Sequence, residues 1–574
     1  MNPREITRWI VLLVIASTTW LQRASAESEH VLLDLLAEEL SYSTEKLAMP
    51  DGVKPYYIGY TITDSRSVSI GACLGALMSN DISHGRQLDV DVRVGDYSLD
   101  NTHKIRGSRF GFDMSDFFGG ATEISIEDDP EAIKHAMWLA TDRSFKSAVK
   151  KYQRVQTNLK TKVEEEDKSD DFSKEAPVVY SEPEVSLTID RDAWADRLRR
   201  VAKIAREHPL IYTSSVSLNA SAVNRYMVSS EGTRLQTGRK LLRVNVTAGT
   251  KAEDGMDLSQ SFVFNASTEE KLPNEAELAK AFQRVIDQVL ALREAPLVEP
   301  YEGPAILLNR ASGVFFHEIF GHRIEGHRQK DVEEGQTFAK KIGKPVLPEF
   351  LSVRDDPTVA AFGDEDLRGH YKYDDEGVPA TDVHLIENGI LKTFLLSRSP
   401  VESFPKSNGH GRRQPGRKIV ARQGNLIVES SKTASFDRLR EILREECKKQ
   451  DKEYGFLFED ITGGFTSTRR FGPQAFKVLP VVVYRVYADE RPDQLVRGVD
   501  IVGTPLASFS KIIYTGDDPA VFNGTCGAES GWVPVSAVSP SILVSQIEIE
   551  KRRRAQDKPP ILPSPVAEKE KTPS

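Results

Sequence analysis

Hydrophobic residues recur at helical spacing in five segments of the chain. These segments are residues 30–46, 130–163, 192–208, 274–292 and 436–450. Apolar side chains return every three or four positions there, which lines them up along one face of a helix. Each segment is therefore predicted to form a helix that packs one face against a core.

Between these helices, apolar residues alternate with polar ones or form short β-branched runs, which is typical of strands. Such runs lie at residues 56–63, 67–78, 88–94, 211–218, 225–230, 241–248, 259–264, 304–308, 383–396 and 479–489. Asn388-Gly389 in the middle of residues 383–396 predicts a tight hairpin turn. Because blocks of strands are separated by helices, the pattern predicts an α+β fold and not a doubly wound α/β fold.

Changes in composition predict the domain boundaries. Residues 164–190 are charged, contain proline and lack periodicity, so they are predicted to be a linker. This linker would separate an N-terminal mixed helix and sheet domain, 27–163, from a central α+β region, 191–300. Residues 301–550 are predicted to form a strand-rich C-terminal domain that carries the candidate metal-site helix. The charged, proline-rich tail, 551–574, is predicted to be disordered.

Residues 1–26 have the pattern of a signal peptide. Arg4 and Arg8 precede a short apolar run, residues 9–16, and Ala24-Ser25-Ala26 fits a cleavage site. The apolar run is shorter than the roughly 20 residues of a membrane span, although an uncleaved anchor is the alternative. No later segment predicts a stable membrane span. We therefore expect an exported protein, most simply in a bacterial periplasm.

Charge and cysteine content exclude further classes of function. Among 574 residues, 85 acidic and 76 basic side chains give a net charge of −9. This balance disfavours nonspecific binding to nucleic acid or to an anionic membrane, because both repel a negatively charged protein. Three cysteines cannot build a disulfide framework. A single Cys73–Cys447 disulfide is one arrangement that the sequence leaves open.

The segment 310–328, RASGVFFHEIFGHRIEGHR, has the clearest chemistry. His317, Glu318 and His322 form an H-E-x-x-x-H motif, which supplies two imidazole ligands for a metal ion and a carboxylate base. Ser312 is predicted to cap the start of the helix, and Gly326 to end it.

The spacing of the two histidines requires a distorted backbone. On a regular helix, side chains at i and i+5 point about 140° apart and cannot share an ion. A π-bulge or another local distortion beside Gly321 would bring His317 and His322 together. The alternative is a pair of structural histidines on a buried straight helix.

Two histidines leave a catalytic zinc ion one protein ligand short. Candidates for the third ligand are Glu325, His327, His370, His410 and the cysteines. Cys526 lies in the polar, glycine-rich stretch 523–527, which predicts a thiol exposed enough to act. A buried Cys526 without chemistry is the alternative.

Several stretches of the C-terminal half carry a further signal. They are HEIFGHRIEG (317–326), DDEGVPATDVHLIENGILKTFLLSRSPVES (374–403), NGHGRR (408–413), RGVDIVGTPLASF (497–509) and GTCGAESGWVPVSAVSPSILV (524–544). In this order they resemble the TldD/PmbA family, a group of metallopeptidases related to modulators of DNA gyrase. The histidine motif together with a distant Cys-Gly resembles the active TldD-type members and not their catalytically silent PmbA-type partners.

The resemblance implies a ligand set and an activity. His317, His322 and Cys526 would bind Zn2+, and Glu318 would be the catalytic base. The family implies a zinc peptidase that acts on small or unfolded peptides through a zinc-activated water inside an enclosed chamber. It also implies a homodimer, or a heterodimer with a family paralogue.

Supporting roles and rival functions complete the sequence-based picture. His410, Arg412 and Arg413 of the NGHGRR stretch are candidates for binding a substrate carboxylate or an oxyanion, with a solvated basic loop as the alternative. His370 is a further candidate donor, and Glu325 a candidate partner of a ligating histidine. The rival functions are a non-catalytic zinc-containing protein that binds peptides and an exported metal-dependent amidase.

Overall fold

The computed structural model describes residues 31–104, 120–160, 167–331, 334–470, 476–552 and 557–568. The predicted signal peptide lies outside these ranges, as does part of the predicted disordered tail. Within them, no helix combines the length and the apolar character that crossing a membrane requires.

The helices follow the predicted amphipathic segments and add several short ones. In chain order they are α1 Val31–Lys46, α2 Pro130–Leu159, α3 Arg191–Ala202, α4 Glu275–Glu294, α5 Asn309–Ile319, α6 His327–Lys330, α7 Phe436–Lys449, α8 Pro505–Phe509 and α9 Pro565–Glu568. Short 3-10 turns occupy Lys203–Glu207, Glu269–Lys271 and Gly321–Arg323.

The first half of the chain forms one seven-stranded sheet. Its strands are β1 Tyr57–Cys73, β2 Ala76–Arg93, β3 Thr122–Glu123, β4 Val179–Ser181, β5 Thr213–Ser229, β6 Arg234–Lys251 and β7 Asp257–Ala266. The spatial order is β3-β2-β1-β5-β6-β4, and β7 pairs with β6. Because β1 and β5 pair along most of their length, from Gly59 opposite Ser229 to Ala72 opposite Val216, the predicted division between residues 27–163 and 191–300 is wrong. The two regions share one sheet and form one unit.

Helices cover one face of this sheet. Near one end, α1 and α2 pack on apolar side chains such as Ile58 and Tyr60, whereas α3 and α4 pack on Leu218 and Val244 at the other end. Alternate residues of each strand point to the opposite face of the sheet. That face lines a cavity, as Arg243 of β6 shows.

The predicted linker is not a free connection. Its residue Phe172 is buried, and the backbone N–H of Ser173 donates to the carbonyl of Arg398 in the C-terminal half. Its strand β4 pairs with β6 in parallel. Residues 167–190 therefore pack against both halves of the chain.

The C-terminal half combines two main sheets. Its strands are β8 Tyr301–Leu307, β9 Leu351–Asp355, β10 Ala361–Phe362, β11 Glu365–Asp366, β12 Val383–Glu387, β13 Ile390–Leu391, β14 Gly411–Arg412, β15 Val420–Ala421, β16 Asn425–Ser430, β17 Thr433–Ala434, β18 Tyr454–Thr466, β19 Phe476–Tyr487, β20 Gln494–Val496, β21 Val499–Gly503, β22 Ile512–Gly516, β23 Ala520–Ala528, β24 Gly531–Ser539 and β25 Ile542–Lys551. One sheet runs β17-β22-β25-β21-β19-β18-β8, with β20 beside β19 and β8 also paired to β25. The other runs β13-β12-β9-β16-β24-β23.

Helix α5 lies in the core between these sheets. Phe315, Phe316, Ile319 and Phe320 are buried in the same apolar cluster as residues of both sheets. Gly313 faces Ala537 of β24, where an added Cβ would lie 3.4 Å from the Ala537 Cβ. This packing holds the motif-bearing helix beside strands β23 and β24. The α+β prediction, with a strand-rich C-terminal domain carrying the site helix, is confirmed.

Two local predictions have different outcomes. Asn388-Gly389 forms the predicted turn between β12 and β13, and both residues have positive φ. The predicted strand 67–78 is instead interrupted by a turn at Leu74-Gly75, also with positive φ at both residues. The sequence pattern did not predict this turn, because Leu74 is apolar and apolar residues are uncommon at positive φ.

The cysteines are not bonded to each other. Cys73, Cys447 and Cys526 are free, so the Cys73–Cys447 disulfide that the sequence left open is not formed. Cys447 is buried in the apolar cluster under α7, while Cys73 lies at the end of β1 near Ser214.

Candidate metal centre

The helix that carries the motif ends between its two histidines. His317 and Glu318 occupy the last turn of α5, which ends at Ile319, and His322 lies in the 3-10 turn Gly321–Arg323. The distortion is therefore at the expected place, but it is a helix end followed by a tighter turn and not a π-bulge. This change of direction allows both imidazoles to face the same point.

The predicted ends of the helix need correction. Leu308 is the N-cap of α5, whereas Ser312 lies inside the helix and shares a hydrogen bond of 2.8 Å with Ser539. The helix ends well before Gly326, whose N–H donates to the carbonyl of Leu395. Local capping signals miss these bounds because packing against β24 determines where α5 begins.

Glycine at position 321 is required by close packing. A Cβ on Gly321 would lie 1.9 Å from Oε1 of Gln423. The Gln423 side-chain N–H donates to the carbonyl of His317 at 3.4 Å. A side chain at position 321 would therefore push away the segment that contacts the end of the helix.

Three donor atoms converge at this turn. Nε2 of His317 lies 3.2 Å from Sγ of Cys526, and Nε2 of His322 lies 3.3 Å from the same sulfur. All three atoms lie within 4.8 Å of one another, and all three residues are buried. Cys526 reaches the site from β23, opposite Val533 of β24. The expectation of an exposed thiol is wrong, since Cys526 is only 6% exposed.

A buried carboxylate orients His322. Oε1 of Glu325 lies 3.2 Å from Nδ1 of His322, which leaves Nε2 directed at Cys526. Glu325 is itself held by Arg328, whose Nε donates to Oε2 at 2.7 Å, and by Arg422, whose Nε lies 3.4 Å from Oε1. Such partners fix the ring orientation and tautomer of a ligating histidine.

Neighbouring charges at the site favour the charged forms of Cys526, His322 and Glu325. Burial alone would raise the pKa of Cys526, but His322, His317 and Arg422 hold it well below its ordinary value. Burial alone would lower the pKa of His322, whereas Cys526 and Glu325 raise it to about 10. Burial would also raise the pKa of Glu325, yet Arg328 and His322 lower it to about 2. A thiolate and an ionised Glu325 are thus the stable states.

This donor set fits zinc. Two imidazole nitrogens and one thiolate are ligands that zinc prefers, and three protein ligands are typical of a catalytic zinc that keeps one open position. His317, His322 and Cys526 all line the same cavity of about 2510 Å3, so these residues would hold an ion within reach of a molecule in the cavity.

Glu318 lies beside the donor atoms without joining them. Its Oε2 is 3.9 Å from Nε2 of His322, and its side chain lines the cavity. Gly464 of β18 lies against it, since an added Cβ there would be 2.8 Å from Cγ of Glu318. The carboxylate is therefore placed to exchange a proton with a molecule in the cavity.

The other candidate residues are placed differently. Arg413 lines the cavity and lies 3.3 Å from Asp89. His410 is fully buried against Asp355 and Asn408, and His370 faces the carbonyl of Pro357.

Arg412 is buried and donates to the carbonyl of Gln423. His370, His410 and Arg412 do not line the cavity. Direct substrate contact by these three residues is therefore not supported.

Sequence reasoning did not identify several charged residues around the site. Arg422 is fully buried and donates to the backbone carbonyl of Cys526 at 3.0 Å. Arg328 links Glu325 to Glu529, which also pairs with His327. The pairing of His327 with Glu529 leaves it outside the three-donor group. Among these, His327 was a candidate ligand in the sequence and Arg328 has helical spacing from Glu325, whereas Arg422 and Glu529 carried no sequence signal.

Comparisons with known proteins relate the C-terminal half of the chain to metallopeptidases. Residues 300–551 match the PmbA/TldA metallopeptidase C-terminal domain. The chain is 28% identical over 380 residues to a metalloprotease of Methanocaldococcus jannaschii, covering 62% of this chain and 78% of the relative. It is 29% identical over 279 residues to a zinc metalloprotease TldD homolog of Saccharolobus solfataricus, covering 46% of this chain and 57% of the relative. A TldD homolog of Buchnera aphidicola is 27% identical over 250 residues, 43% of this chain and 47% of the relative. The match thus spans about half the length of the last two relatives.

Solved structures share the fold over most of the chain. TldE from Thermococcus kodakarensis superposes with a TM-score of 0.60 at 16% identity, covering 90% of this chain and 100% of that one. A putative modulator of a DNA gyrase from Thermotoga maritima superposes with a TM-score of 0.56 at 17% identity, covering 90% and 99%. Residues 300–551 thus match the metallopeptidase domain of the TldD/PmbA family, and the described chain shares the fold of the solved TldE and gyrase-modulator structures.

Proposed function

We propose that the protein is a zinc-dependent metallopeptidase. One observation carries this proposal: three buried ligand atoms from His317, His322 and Cys526 lie within 4.8 Å of one another. Glu318 stands beside them in the wall of a large cavity. Metalloproteases among the relatives support the same activity.

In this proposal the side chains of the chain have distinct roles. His317, His322 and Cys526 would hold zinc, which when bound polarises a carbonyl and lowers the pKa of a water molecule. Glu318 would accept the proton of the attacking water at a carboxylate oxygen and then deliver it to the leaving amine. Glu325 keeps His322 in one orientation, and Arg422 holds the backbone of Cys526.

The cavity supports small or unfolded peptides as substrates. Its volume of about 2510 Å3 exceeds the roughly 300–1,000 Å3 of a typical small-molecule pocket. Both halves of the chain line it, which favours an extended peptide over a folded domain.

Partner and location are further parts of the proposal. The family relationship supports a homodimer or a heterodimer with a paralogue, and exposed Met78 and Ile82 on the β1–β2 hairpin offer an apolar patch for such contact. The pattern in residues 1–26 supports export to a periplasm. Light scattering of the mature chain and fractionation of cells test these two points.

Zinc content tests the ligand set without knowledge of the substrate. We expect about one zinc per chain in the wild type and a large loss in Cys526→Ala. Cys447→Ala is the matched control, because Cys447 is a buried cysteine of α7 away from the site. Equal zinc in the wild type and Cys526→Ala would remove Cys526 from the ligand set.

Peptide hydrolysis separates the peptidase from its rivals. A non-catalytic binding protein would hold zinc and bind peptides without cleaving them, whereas an amidase would spare peptides and hydrolyse small amides. Glu318 favours hydrolysis, because a purely structural zinc needs no adjacent base. A peptide library digested by the wild type but not by Glu318→Gln is the expected result.

A further inference from the structure

The wall of the cavity also contains an arginine, Arg243, that forms no ion pair with the described residues. Nε of Arg243 in β6 and Nη1 of Arg368 both donate to Oδ1 of Asn265 at 3.1 Å. The backbone N–H of Arg368 donates to Oδ1 of Asn523. We call Arg243, Arg368, Asn265 and Asn523 the arginine pocket. Arg243 and both asparagines line the same cavity as the metal ligands, with Arg368 behind them.

Neither Arg243 nor Arg368 forms an ion pair with a described carboxylate, and the carboxylate nearest in the pocket's contacts, Glu365, accepts from Nδ2 of Asn523 at 3.1 Å. Burial lowers the pKa of Arg243, and burial together with Arg243 and Arg239 lowers that of Arg368 to about 9. Nε of Arg368 is buried and has no hydrogen-bond partner among the described residues. Both side chains are half-buried, so their charges are only partly solvated, and an anion would offset that cost.

A carboxylate matches these donors. A planar guanidinium binds a carboxylate through parallel hydrogen bonds, and such charge-assisted bonds are among the strongest in proteins. The wider cavity agrees, because lysine and arginine outnumber aspartate and glutamate in its described lining although the whole chain is acidic.

One strand relates the arginine pocket to the metal site. Asn523 precedes Cys526 by three residues on β23, which is roughly 10 Å along a strand. An extended peptide advances about 3.3 Å per residue, so this separation corresponds to about three residues.

We propose that the arginine pocket binds the C-terminal carboxylate of the peptide substrate and directs cleavage to the second or third bond from that end. The proposal rests on the proposed peptidase function, whose substrate class it narrows. The enzyme would then release short fragments from free C-termini. An aspartate or glutamate side chain offers the same chemistry, and the test distinguishes the two sources.

Binding to a variant that cannot cleave tests the pocket apart from catalysis. Fluorescently labelled peptides would be titrated into zinc-loaded Glu318→Gln: one with a free C-terminus, one amidated, and one amidated with a single internal aspartate. We expect the free acid to bind about 10- to 100-fold more tightly than the plain amide, the range for hydrogen bonds to a charged group. Adding Arg243→Gln should abolish this preference.

Arg234→Gln is the matched control, since Arg234 lies on the same strand but pairs with Asp34 of α1. It should leave the preference for the free acid unchanged. Equal binding of acid and amide, or a preference that survives Arg243→Gln, would overturn the proposal. An internal aspartate that restores binding while the free C-terminus does not would assign the pocket to side chains and would also overturn it.

The masses of the cleavage products provide a second test of the proposal. Wild-type enzyme should release C-terminal fragments of two or three residues from peptides of different length, whereas cuts at a fixed distance from the N-terminus would contradict the proposal. If the wild type cleaves no peptide but the binding preference persists, the peptidase proposal fails and the carboxylate site stands.

Discussion

The metal site and the arginine pocket differ in how their charged side chains are paired. At the metal site, the buried carboxylate of Glu325 has oppositely charged partners in Arg328, Arg422 and His322. In the arginine pocket, Arg243 and Arg368 share only a neutral amide oxygen. A paired network holds a site in shape before anything binds, whereas unpaired cations favour an anion that comes from outside. The comparison supports the proposed chemistry at the metal site and the proposed recognition in the arginine pocket.

Among the changes that test this comparison, metal removal should have the largest effect on peptide hydrolysis. Chelation should abolish peptide hydrolysis, because the thiolate and imidazoles alone supply no activated water. Added zinc should restore the activity of the wild type but not that of Cys526→Ala. Activity that persists in chelator, measured with the same peptide, would place the chemistry elsewhere in the molecule.

Loss of the Glu318 carboxylate, the proposed base, should have the second-largest effect on activity. Glu318→Gln keeps the shape of the side chain but cannot accept a proton, so we expect kcat to fall by about 10²- to 10⁴-fold. Zinc content should stay at the wild-type level, because Glu318 is not among the three donors. A simultaneous loss of zinc would show that Glu318 is a ligand and not the base.

Substitution of the orienting carboxylate should have an intermediate effect. Glu325→Gln removes the charge that holds His322, and changes of this kind weaken metal affinity about 10- to 100-fold. It also leaves Arg328 and Arg422 short of a buried partner, which should lower the free energy of unfolding by about 3 kcal/mol. Zinc titration and urea unfolding measure the two effects, with the exposed Glu441→Gln on α7 as control.

Substitution of Glu529, in the outer part of the paired network, should have the smallest effect on stability. Burial would raise the pKa of Glu529, but His327 and Arg328 lower it below its ordinary value of 4.5. Its contribution to stability is therefore present above about pH 4.5 and is lost as the pH falls toward the lowered pKa. Since the side chain is 38% exposed, we expect Glu529→Gln to cost only about 1 kcal/mol at pH 7.

Unfolding measured at decreasing pH checks the sign of this effect. The difference between the wild type and Glu529→Gln should shrink below about pH 4.5. A difference that grows on acidification would mean that the charged form of Glu529 does not stabilise the fold.

Local patterns in the sequence predicted most of the elements but not how they join. The amphipathic segments became α1, α2, α3, α4 and α7, because a one-sided apolar face is a property of neighbouring residues. The single seven-stranded sheet was missed, because the pairing of β1 with β5 joins positions 59 and 229, which no local pattern relates.

The candidate site shows the same limit. His317, Glu318 and His322 lie within six residues, so the motif could be recognised in the sequence. The proximity of Cys526, 204 residues beyond His322, depends on α5 packing against β23 and β24; its polar, glycine-rich context made it one of several candidates, and the family resemblance selected it. Arg422 and the arginine pocket had no signal at all, because isolated arginines and asparagines resemble surface residues until the chain buries them.

X-ray absorption at the zinc edge of the purified, zinc-loaded protein tests the central claim most directly. We predict one sulfur ligand at about 2.3 Å and two imidazole nitrogens at about 2.0 Å. In Cys526→Ala any remaining zinc should lose the sulfur ligand. A wild-type spectrum without sulfur, or with a set of ligands that Cys526→Ala leaves unchanged, would contradict the assignment of His317, His322 and Cys526 as the metal centre.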